Sequence, residues 1–306
     1  MDFHEFSRLG GHSIGNILVQ RVLEAEMPRC RPQVLLPDAK DELIAPHRDF
    51  LQPYMIDPAT GFLILSWHSF VVRTARSVIV VDTCGGNDKQ RPQKERYHLK
   101  RHPYLENLAA LGLRPEEVNF VLCTHLHVDH VGWNTRLLNN RWVPTFPNAK
   151  YIFSKDEWRF WQQRHKDADF KDDPFYDDSI LPVIEAGQAE LVSSDYQIDE
   201  GVWLEPSPGH TPGHVCVRIS SGGKNAVLSG DLMHHMVQVF EPDWNSCWCV
   251  DAERSRSTRR AFLEKYADTD TLVMPAHFPT PSAGRVEAAP RNFRFRVDGP
   301  YGKRYS

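Results

Sequence analysis

The stretch THLHVDH, residues 124–130, packs three imidazoles and one carboxylate into a short segment directly after the apolar run NFVLC. In an extended chain, residues two apart lie on the same side, so His125 and His127 can point at one ion. Asp129 and His130 lie past the turn, from where they can reach a second ion. Because four such groups at a strand end would be costly to bury without a metal, the pattern indicates two adjacent metal sites.

Three later motifs offer further groups of the same kind, each just beyond a predicted strand. In PGHTPGH, glycine and proline constrain the loop that carries His210. A metal ligand needs such a fixed position. In SGD, Asp231 follows the apolar run NAVLS and could bridge two ions. In PAHFP, His277 follows the run TLVM. Together with the first stretch, these motifs strengthen the case for a pair of neighbouring metal sites.

The series HLHVDH, PGHTPGH, SGD and PAHFP closely resembles the metallo-β-lactamase superfamily, whose members carry H-x-H-x-D-H followed by a histidine, an aspartate and a final histidine. The turn VVDTCGG, residues 80–86, matches the family's early aspartate-containing turn. The resemblance runs roughly from Leu63 to the C-terminal region. It implies an α+β fold, namely a four-layer αββα sandwich of two mixed β-sheets flanked by helices.

The resemblance also implies which residues bind metal. Seven ligands are expected for two divalent cations: His125, His127 and His210 for the first, Asp129, His130 and His277 for the second, and Asp231 bridging both. Zn²⁺ is the expected cation, although imidazole and carboxylate sites also accept Mn²⁺, Co²⁺ or Fe²⁺. His214 is expected to support its loop rather than bind metal, and Asp82 to orient a ligand imidazole.

A hydrolytic activity follows from the same resemblance. Zinc-class ions lower the pKa of bound water toward ~7 and polarise a substrate oxygen. A metal-bridging hydroxide is therefore expected to attack a small ester-like substrate, either a lactone or an aryl or carboxylic ester. Asp129 can accept a hydrogen bond from that hydroxide. The expected catalytic residues are Asp129, Asp231 and His234.

The position three residues after Asp231 helps to choose a branch of the family. Acyl-homoserine lactonases usually carry tyrosine there, whereas this chain has His234. The surrounding GDLMHHMVQVF looks more like the branch of methyl parathion hydrolase and related quorum-quenching lactonases and arylesterases. His234 or His235 then lines the pocket and helps a leaving group or an oxyanion. Equally, a histidine here could hold the loop through a backbone hydrogen bond.

Other activities of the same fold stay open as alternatives. Organophosphate triester hydrolysis and a glyoxalase II-like thioesterase activity would use nearly the same ligands. An RNA-processing nuclease is disfavoured because the chain, with a net charge of −4 and a pI near 6.4, lacks a basic exosite. Flavodiiron chemistry is disfavoured because glutamate usually stands where this chain has His127. A non-enzymatic binding protein would be expected to lose ligands, and none of the seven is missing.

Length and composition predict an ordinary globular protein. Of 306 residues, 41% are hydrophobic and 25% are charged, a balance that disfavours disorder. A single domain over residues 1–306 is the simplest expectation, with residues 1–60 as an N-terminal extension and residues 155–180 as a possible helical cap insertion.

Charge and hydropathy narrow the partners and the compartment. The acidic balance disfavours nucleic acid and anionic membranes as partners, and no stretch approaches the ~20 apolar residues that span a bilayer. The start MDFHEFSRLGGHS lacks the basic and apolar regions of a signal peptide, so a cytoplasmic protein is expected. The expected partner is a small ester-like molecule, and the resemblance suggests a homodimer. The scattered cysteines suit a reducing compartment, and the C-x-C at 247–249 predicts buried or half-buried thiols rather than a zinc site.

Periodicity and composition predict the elements that carry these motifs. The predicted strands are residues 62–72, 77–81, 118–123, 150–154, 189–192, 202–205, 215–219, 225–228 and 271–274. The predicted helices are residues 104–111, 155–166 and 254–266. Aromatic side chains form either a pocket rim or, by their helical spacing, part of the core: Trp67, Trp133, Trp142, Phe146, Trp158, Phe160, Trp161, Phe170 and Phe175.

Overall fold

Short runs of apolar and β-branched residues form strands close to the positions that the sequence predicts. The computed structural model describes residues 11–167 and 174–298. The strands are β1 (His12–Ile14), β2 (Ile17–Cys30), β3 (Leu63–Arg73), β4 (Val78–Val81), β5 (Phe120–Leu122), β6 (Thr135–Leu138), β7 (Arg141–Pro144), β8 (Lys150–Ser154), β9 (Ala189–Val192), β10 (Gln197–Asp199), β11 (Val202–Pro206), β12 (Val215–Ser221), β13 (Lys224–Leu228), β14 (Leu272–Met274), β15 (Gly284–Ala288) and β16 (Phe293–Val297). Every strand predicted from the sequence is present.

The α-helices are short, with two longer exceptions at the positions that amphipathic spacing predicts. They are α1 (Pro32–Leu35), α2 (Asp41–Ile44), α3 (Arg48–Leu51), α4 (Tyr104–Ala110), α5 (Lys155–Arg164), α6 (Phe175–Ser179), α7 (Leu181–Glu185), α8 (Val237–Phe240) and α9 (Ala252–Tyr266). Helix α9 begins where the side chain of Asp251 accepts a hydrogen bond from the backbone N–H of Arg254, at 2.9 Å. No helix within the described ranges is long and apolar enough to cross a membrane.

The strands form two seven-stranded sheets, both of mixed type. The first has the order β1-β2-β3-β4-β5-β8-β9, in which β3 and β4 are antiparallel while β4, β5, β8 and β9 run parallel. The second has the order β10-β11-β12-β13-β14-β15-β16, in which β13 and β14 are parallel. A separate hairpin joins β6 and β7. The predicted α+β class with two mixed sheets and helices is therefore confirmed.

Contacts between Cα atoms divide the chain into two compact units. The first consists of Met1–Ala25 and Trp67–Leu204, and the second of Glu26–Ser66 and Glu205–Ser306. The boundaries fall within strands β2, β3 and β11. The single domain over residues 1–306, the extension over residues 1–60 and the cap over residues 155–180 stay predictions.

Aromatic residues build much of the hydrophobic core of the first unit. Trp133, Phe146, Trp161 and Phe175 are buried there, among apolar side chains of β4, β5 and β8. Trp158 and Phe160 are partly buried against the same core, and Trp67 is buried as well. The core interpretation of these side chains is thus correct, whereas Phe170 lies outside the described residues. The half-buried ring of Trp142 lies beneath the ammonium group of Lys89, 3.7 Å from its centroid.

The second unit has its own core. Alternate residues of β15 and β16 point inward, and Phe295 packs edge-on against Phe278 with ring centroids 5.4 Å apart. Phe262, Leu263 and Tyr266 on one face of α9 are buried in this unit. The predicted helix over 254–266 is therefore present and starts two residues earlier.

Candidate functional site

In the first unit, Asp82 organises the segment that carries the histidine motif. Asp82 ends β4 with a positive φ of 57°, a conformation that aspartate tolerates better than most residues. Its carboxylate accepts hydrogen bonds from the backbone N–H of Thr124 at 2.8 Å and from the Thr124 hydroxyl at 2.9 Å. Oδ2 of Asp82 also lies 3.0 Å from Nδ1 of His130. Asp82 thus orients the imidazole of His130, the role that its position in the sequence suggests.

A close approach of two backbone segments fixes the end of the motif. A Cβ atom on Gly132 would lie 2.0 Å from the carbonyl carbon of Gly85, so only glycine permits this contact. The backbone N–H of Gly132 donates to the carbonyl of Cys84 at 2.7 Å, and the N–H of Thr83 donates to the carbonyl of His130 at 2.8 Å. These bonds lock the motif against the turn that follows β4.

Two further carboxylates, both buried, brace the motif from neighbouring elements. Glu157 of α5 accepts hydrogen bonds from the backbone N–H of Leu126 at 2.9 Å and from the indole of Trp161 at 2.6 Å. Glu24 of β2 accepts from the N–H groups of Gly85 and Gly86, at 3.0 and 2.9 Å. Burial raises the pKa of Glu24 to about 7 despite these hydrogen bonds, and neither glutamate is indicated by any motif in the sequence.

The imidazoles of His125 and His127 turn a pair of ring nitrogens toward each other. The hydroxyl of Thr124 has one proton, which it donates to Asp82, so it accepts a hydrogen bond from Nδ1 of His125 at 3.2 Å. In this tautomer Nε2 of His125 carries a lone pair, and it lies 3.0 Å from Nδ1 of His127. Two such nitrogens suit a borderline divalent cation such as Zn²⁺.

Asp129 is held by two hydrogen-bond donors. Its Oδ2 accepts from the indole N–H of Trp67 at 3.1 Å and from the phenol of Tyr97 at 2.8 Å. Burial, reinforced by the charge of Asp129, raises the pKa of Tyr97 well above its ordinary value, so the phenol keeps the proton that it donates. The potential ligand atoms of Asp129 and His130 lie within 4.8 Å of each other. The first unit therefore brings together all four of its predicted ligands.

In the second unit, three imidazoles converge on Asp231, which lies in a short 3-10 turn after β13. Nε2 of His210 and Nε2 of His234 lie 3.3 and 3.2 Å from Oδ2 of Asp231. Nε2 of His277 lies 3.1 Å from Oδ1 of the same carboxylate. The second unit thus brings together its three predicted ligands and His234.

Hydrogen bonds that involve the backbone orient His277 and Asp231. Nδ1 of His277 is 2.9 Å from the carbonyl oxygen of Ser66, and since a carbonyl only accepts, the proton sits on Nδ1. The backbone N–H of Asp231 donates to Nε2 of His214 at 3.0 Å, and Nδ1 of His214 is 2.8 Å from the hydroxyl of Ser207. His214 thus supports the backbone that presents Asp231.

The loop that carries His210 depends on glycine at the preceding position. Gly209 has a φ of +136°, and a Cβ atom there would lie 2.2 Å from the backbone nitrogen of Ser255. Burial alone would lower the pKa of His210, but its hydrogen bonds to Asp231 and Cys249 outweigh that effect and raise it to about 9.

The rings of His234 and His235 play different parts. The side chain of His235 holds the loop, because its Nε2 lies 2.7 Å from the carbonyl oxygen of Met55. The ring of His234 is buried, and its Nε2 lies 3.2 Å from Oδ2 of Asp231. Burial lowers the pKa of His234 to about 4, so the ring is neutral at pH 7. The alternative of a histidine that holds the loop through a backbone hydrogen bond thus describes His235.

Sequence patterns gave no indication of Tyr97, which lies in a polar segment without periodicity, or of the contact of Cys249 with His210. The six cysteines are all free thiols, of which Cys30, Cys84, Cys123 and Cys216 are buried. In the C-x-C pair Cys249 is half-buried, as expected, but Cys247 is exposed, so the expectation for Cys247 is wrong. From its spacing, the C-x-C pair could only be distinguished from a C-x2-C zinc motif.

Sequence comparison adds independent information about the family. A family model described as the metallo-beta-lactamase superfamily matches residues 67–277. An N-acyl homoserine lactonase of Bacillus cereus is 28% identical over 121 residues, which cover 40% of this chain and 40% of that protein. Metallo-beta-lactamase domain-containing protein 1 of Xenopus laevis is 30% identical over 183 residues, covering 58% of this chain and 62% of that protein. The chain thus spans about two fifths of the length of the lactonase and about three fifths of the frog protein.

Solved structures share the fold over nearly the whole chain. One is described as the hydrolase AbOPH in the beta lactamase superfamily, with a TM-score of 0.77 and 23% identity over 94% of this chain and 97% of that one. Another is described as AidC, a dizinc quorum-quenching lactonase, with a TM-score of 0.76 and 21% identity over the same shares. Because the family model covers well over half of the chain, and residues 67–277 include all seven predicted ligands, the chain belongs to the metallo-β-lactamase superfamily.

Proposed function

We propose that the chain is a dinuclear metal-dependent hydrolase of small ester-like substrates, with lactones as the preferred class. The surroundings of Asp231 carry the proposal. In its neutral form, with the proton on Nδ1, His277 turns the lone pair of Nε2 toward a carboxylate oxygen only 3.1 Å away. Two acceptors so close repel each other unless a positive charge lies between them or beside them.

The other two imidazoles beside Asp231 differ in charge. Against the lowering effect of burial, hydrogen bonds to Asp231 and Cys249 raise the pKa of His210 to about 9, so without metal this ring is charged at pH 7, whereas burial lowers the pKa of His234 to about 4 and leaves it neutral. Divalent cations coordinated by the imidazoles and the carboxylate would satisfy all these groups together. The donor set of three imidazoles around one carboxylate therefore fits metal ions.

The proposed ligands are the seven residues that the motifs single out. We assign His125, His127 and His210 to one cation, Asp129, His130 and His277 to a second, and Asp231 to both, with Zn²⁺ as the expected metal. Family membership supports the assignment, as do the donor sets that each unit assembles. When bound, such ions supply acidified water and polarise a substrate oxygen.

The chain's own residues hold the groups that act on the substrate. Trp67 and Tyr97 fix the carboxylate of Asp129 through Oδ2, so that it presents one orientation to a nucleophilic water. His234 is neutral and lies beside Asp231, where one ring N–H can donate to the leaving-group oxygen or to the oxygen on which charge develops.

The choice of lactones rests on the relatives. Several curated relatives are N-acyl homoserine lactonases, including those of Bacillus cereus and, at 26% identity over 189 residues, the AttM protein of Rhizobium radiobacter. Lactones are esters, and opening the ring requires the polarised carbonyl and stabilised alkoxide that such a site offers. A homodimer remains a prediction, which light scattering of the purified chain tests.

Metal reconstitution combined with a substrate panel tests the proposed function. The protein is stripped with a chelator, reloaded with Zn²⁺, Mn²⁺, Co²⁺ or Fe²⁺, and its metal content measured alongside kcat/KM for a lactone, an aryl ester, a thioester, an aryl phosphotriester and a β-lactam. We expect two ions per chain, no turnover after stripping, and the highest kcat/KM for the lactone. Full turnover by the metal-free protein would contradict the metal mechanism, and a higher kcat/KM for another substrate would contradict the substrate class.

A further inference from the structure

We propose that Cys249 is a positioning residue for His210. The thiol of Cys249 accepts a hydrogen bond from the Nδ1–H of His210, so that Nε2 of the ring stays directed at the metal. The inference rests on the proposed function, because it concerns how one ligand of the proposed metal site is oriented. It concerns a thiol that the sequence motifs leave without a role.

The hydrogen bonds around the thiol define its direction. Sγ of Cys249 lies 3.7 Å from Nδ1 of His210 and 3.3 Å from the hydroxyl oxygen of Ser255, to which the thiol donates its proton. A thiol has a single proton, so toward His210 the sulfur acts as the acceptor. Nδ1 of His210 therefore keeps its proton, and Nε2, 3.3 Å from Asp231, is the nitrogen that gives up its proton to bind a metal.

The backbone holds the two partners together independently of the sulfur contact. The N–H of Val250 donates to the carbonyl of His210 at 2.9 Å, and the N–H of Asp251 donates to the carbonyl of Gly209 at 3.0 Å. Two consecutive bonds of this kind align the segment after Cys249 with the loop that carries the imidazole. These bonds hold the main chain next to Cys249 against the loop that carries His210.

Hydrogen-bond partners of this kind matter for metal binding. An imidazole ligand usually donates its other N–H to a neighbouring acceptor, and loss of that acceptor typically lowers metal affinity or activity by about 10–100-fold. Here the acceptor is a sulfur atom, a weak acceptor, in place of the more usual carboxylate or carbonyl oxygen. Serine at position 249 could still accept the bond, whereas alanine could not.

The chain offers a matched control two residues away. Cys247 belongs to the same segment but is exposed, whereas Cys249 is only partly exposed. Replacing Cys247 therefore removes a thiol from the same loop without removing the contact to His210. The variants to compare are Cys249→Ala, Cys249→Ser and Cys247→Ala.

Zinc affinity decides between a positioning role and no role. The metal-free proteins are titrated with Zn²⁺ against a chromophoric chelator, and the unfolding temperature of each is measured without metal. We expect Cys249→Ala to bind its weaker zinc ion about 10–100-fold less tightly, Cys249→Ser to recover most of that loss, and Cys247→Ala to match the wild type. An affinity of Cys249→Ala within twofold of the wild type overturns the inference, as does an equal loss in Cys247→Ala.

A second readout covers the case in which Cys249→Ala does not fold. Long-range ¹H–¹⁵N spectra of the zinc-loaded wild type should show Nδ1 of His210 protonated and Nε2 bound to metal, and those of Cys249→Ser should show the same tautomer. Metal on Nδ1 of His210 overturns the inference. A wild type that binds no zinc instead contradicts the proposed function itself, so the two failures are distinguishable.

Discussion

Nε2 of His277 lies 3.1 Å from Oδ1 of Asp231, while Nδ1 of the same ring donates to the backbone carbonyl of Ser66 at 2.9 Å. The bond to Ser66 determines which nitrogen carries the proton, and therefore which nitrogen can bind a cation. The N–H of Ser66 also donates to the carbonyl of His277 at 3.0 Å, so the two residues are tied in both directions. The position of an imidazole that we propose as a metal ligand is in this way set by the backbone of strand β3.

Asp231 should be the residue whose loss affects metal content most. We expect Asp231→Ala to retain less than one ion per chain, because the three imidazoles that face it lose their shared carboxylate, and to lower kcat/KM by about 10³-fold. Metal analysis and kinetics check the prediction, with the exposed Asp195→Ala as the control. Two ions retained by Asp231→Ala would show that the carboxylate does not bridge.

Tyr97 should affect catalysis through Asp129. Tyr97→Phe removes one of the two hydrogen bonds to Oδ2 of that carboxylate, and we expect kcat/KM to fall about tenfold, equivalent to about 1.4 kcal/mol. Tyr196→Phe removes a phenol bond to Glu190, away from the predicted ligands, and should leave kcat/KM unchanged. Equal effects of the two substitutions would mean that the bond to Asp129 has no special role.

Substitution of His234 should mainly affect activity, whereas substitution of His235 should mainly affect stability. His235→Ala removes a buried ring bonded to the carbonyl of Met55, so the free energy of unfolding of the metal-free protein should fall by about 2–4 kcal/mol. His234→Ala should lower kcat about 10–100-fold and destabilise less, because the ring of His234 contacts the Asp231 carboxylate and, unlike His235, is not bonded to described backbone. Urea unfolding and steady-state kinetics of both variants measure this; a wild-type kcat in His234→Ala would rule out its catalytic role.

Glu24 should make stability depend on pH. Burial raises its pKa in the folded chain to about 7 from the ordinary 4.5, so between these values the folded chain holds a proton that the unfolded chain has lost. The free energy of unfolding therefore falls as pH rises from about 4.5 to about 7, by up to about 3 kcal/mol.

Comparison with Glu24→Gln isolates this contribution, because glutamine does not titrate. Denaturant unfolding at several pH values should show a weaker decline for Glu24→Gln than for the wild type, while Glu26→Gln on the same strand should follow the wild type. Parallel wild-type and Glu24→Gln curves would contradict the raised pKa.

Much of the fold could be predicted from local patterns. VIVV and KYIFS are short apolar runs with β-branched residues, and both form parallel strands at the predicted positions. The strand β16 was missed although FRFRV alternates strictly, with Phe295 and Val297 buried between exposed arginines. The long strand β2 was missed because charged residues interrupt its apolar pattern, and one of them, Glu24, is itself buried.

The sequence by itself determined the chemical types, the order and the spacing of the predicted ligands, because these depend on motifs a few residues long at the ends of strands. It also determined the family, whose model covers the same motifs. Only the tertiary structure decided which ring nitrogen of His277 carries the proton, which donors hold Asp129, and which of His234 and His235 ties down its loop. Those properties depend on contacts between residues 32 to 211 positions apart, such as Tyr97 with Asp129 and Ser66 with His277, and packing brings such residues together without leaving a periodic signal in the chain.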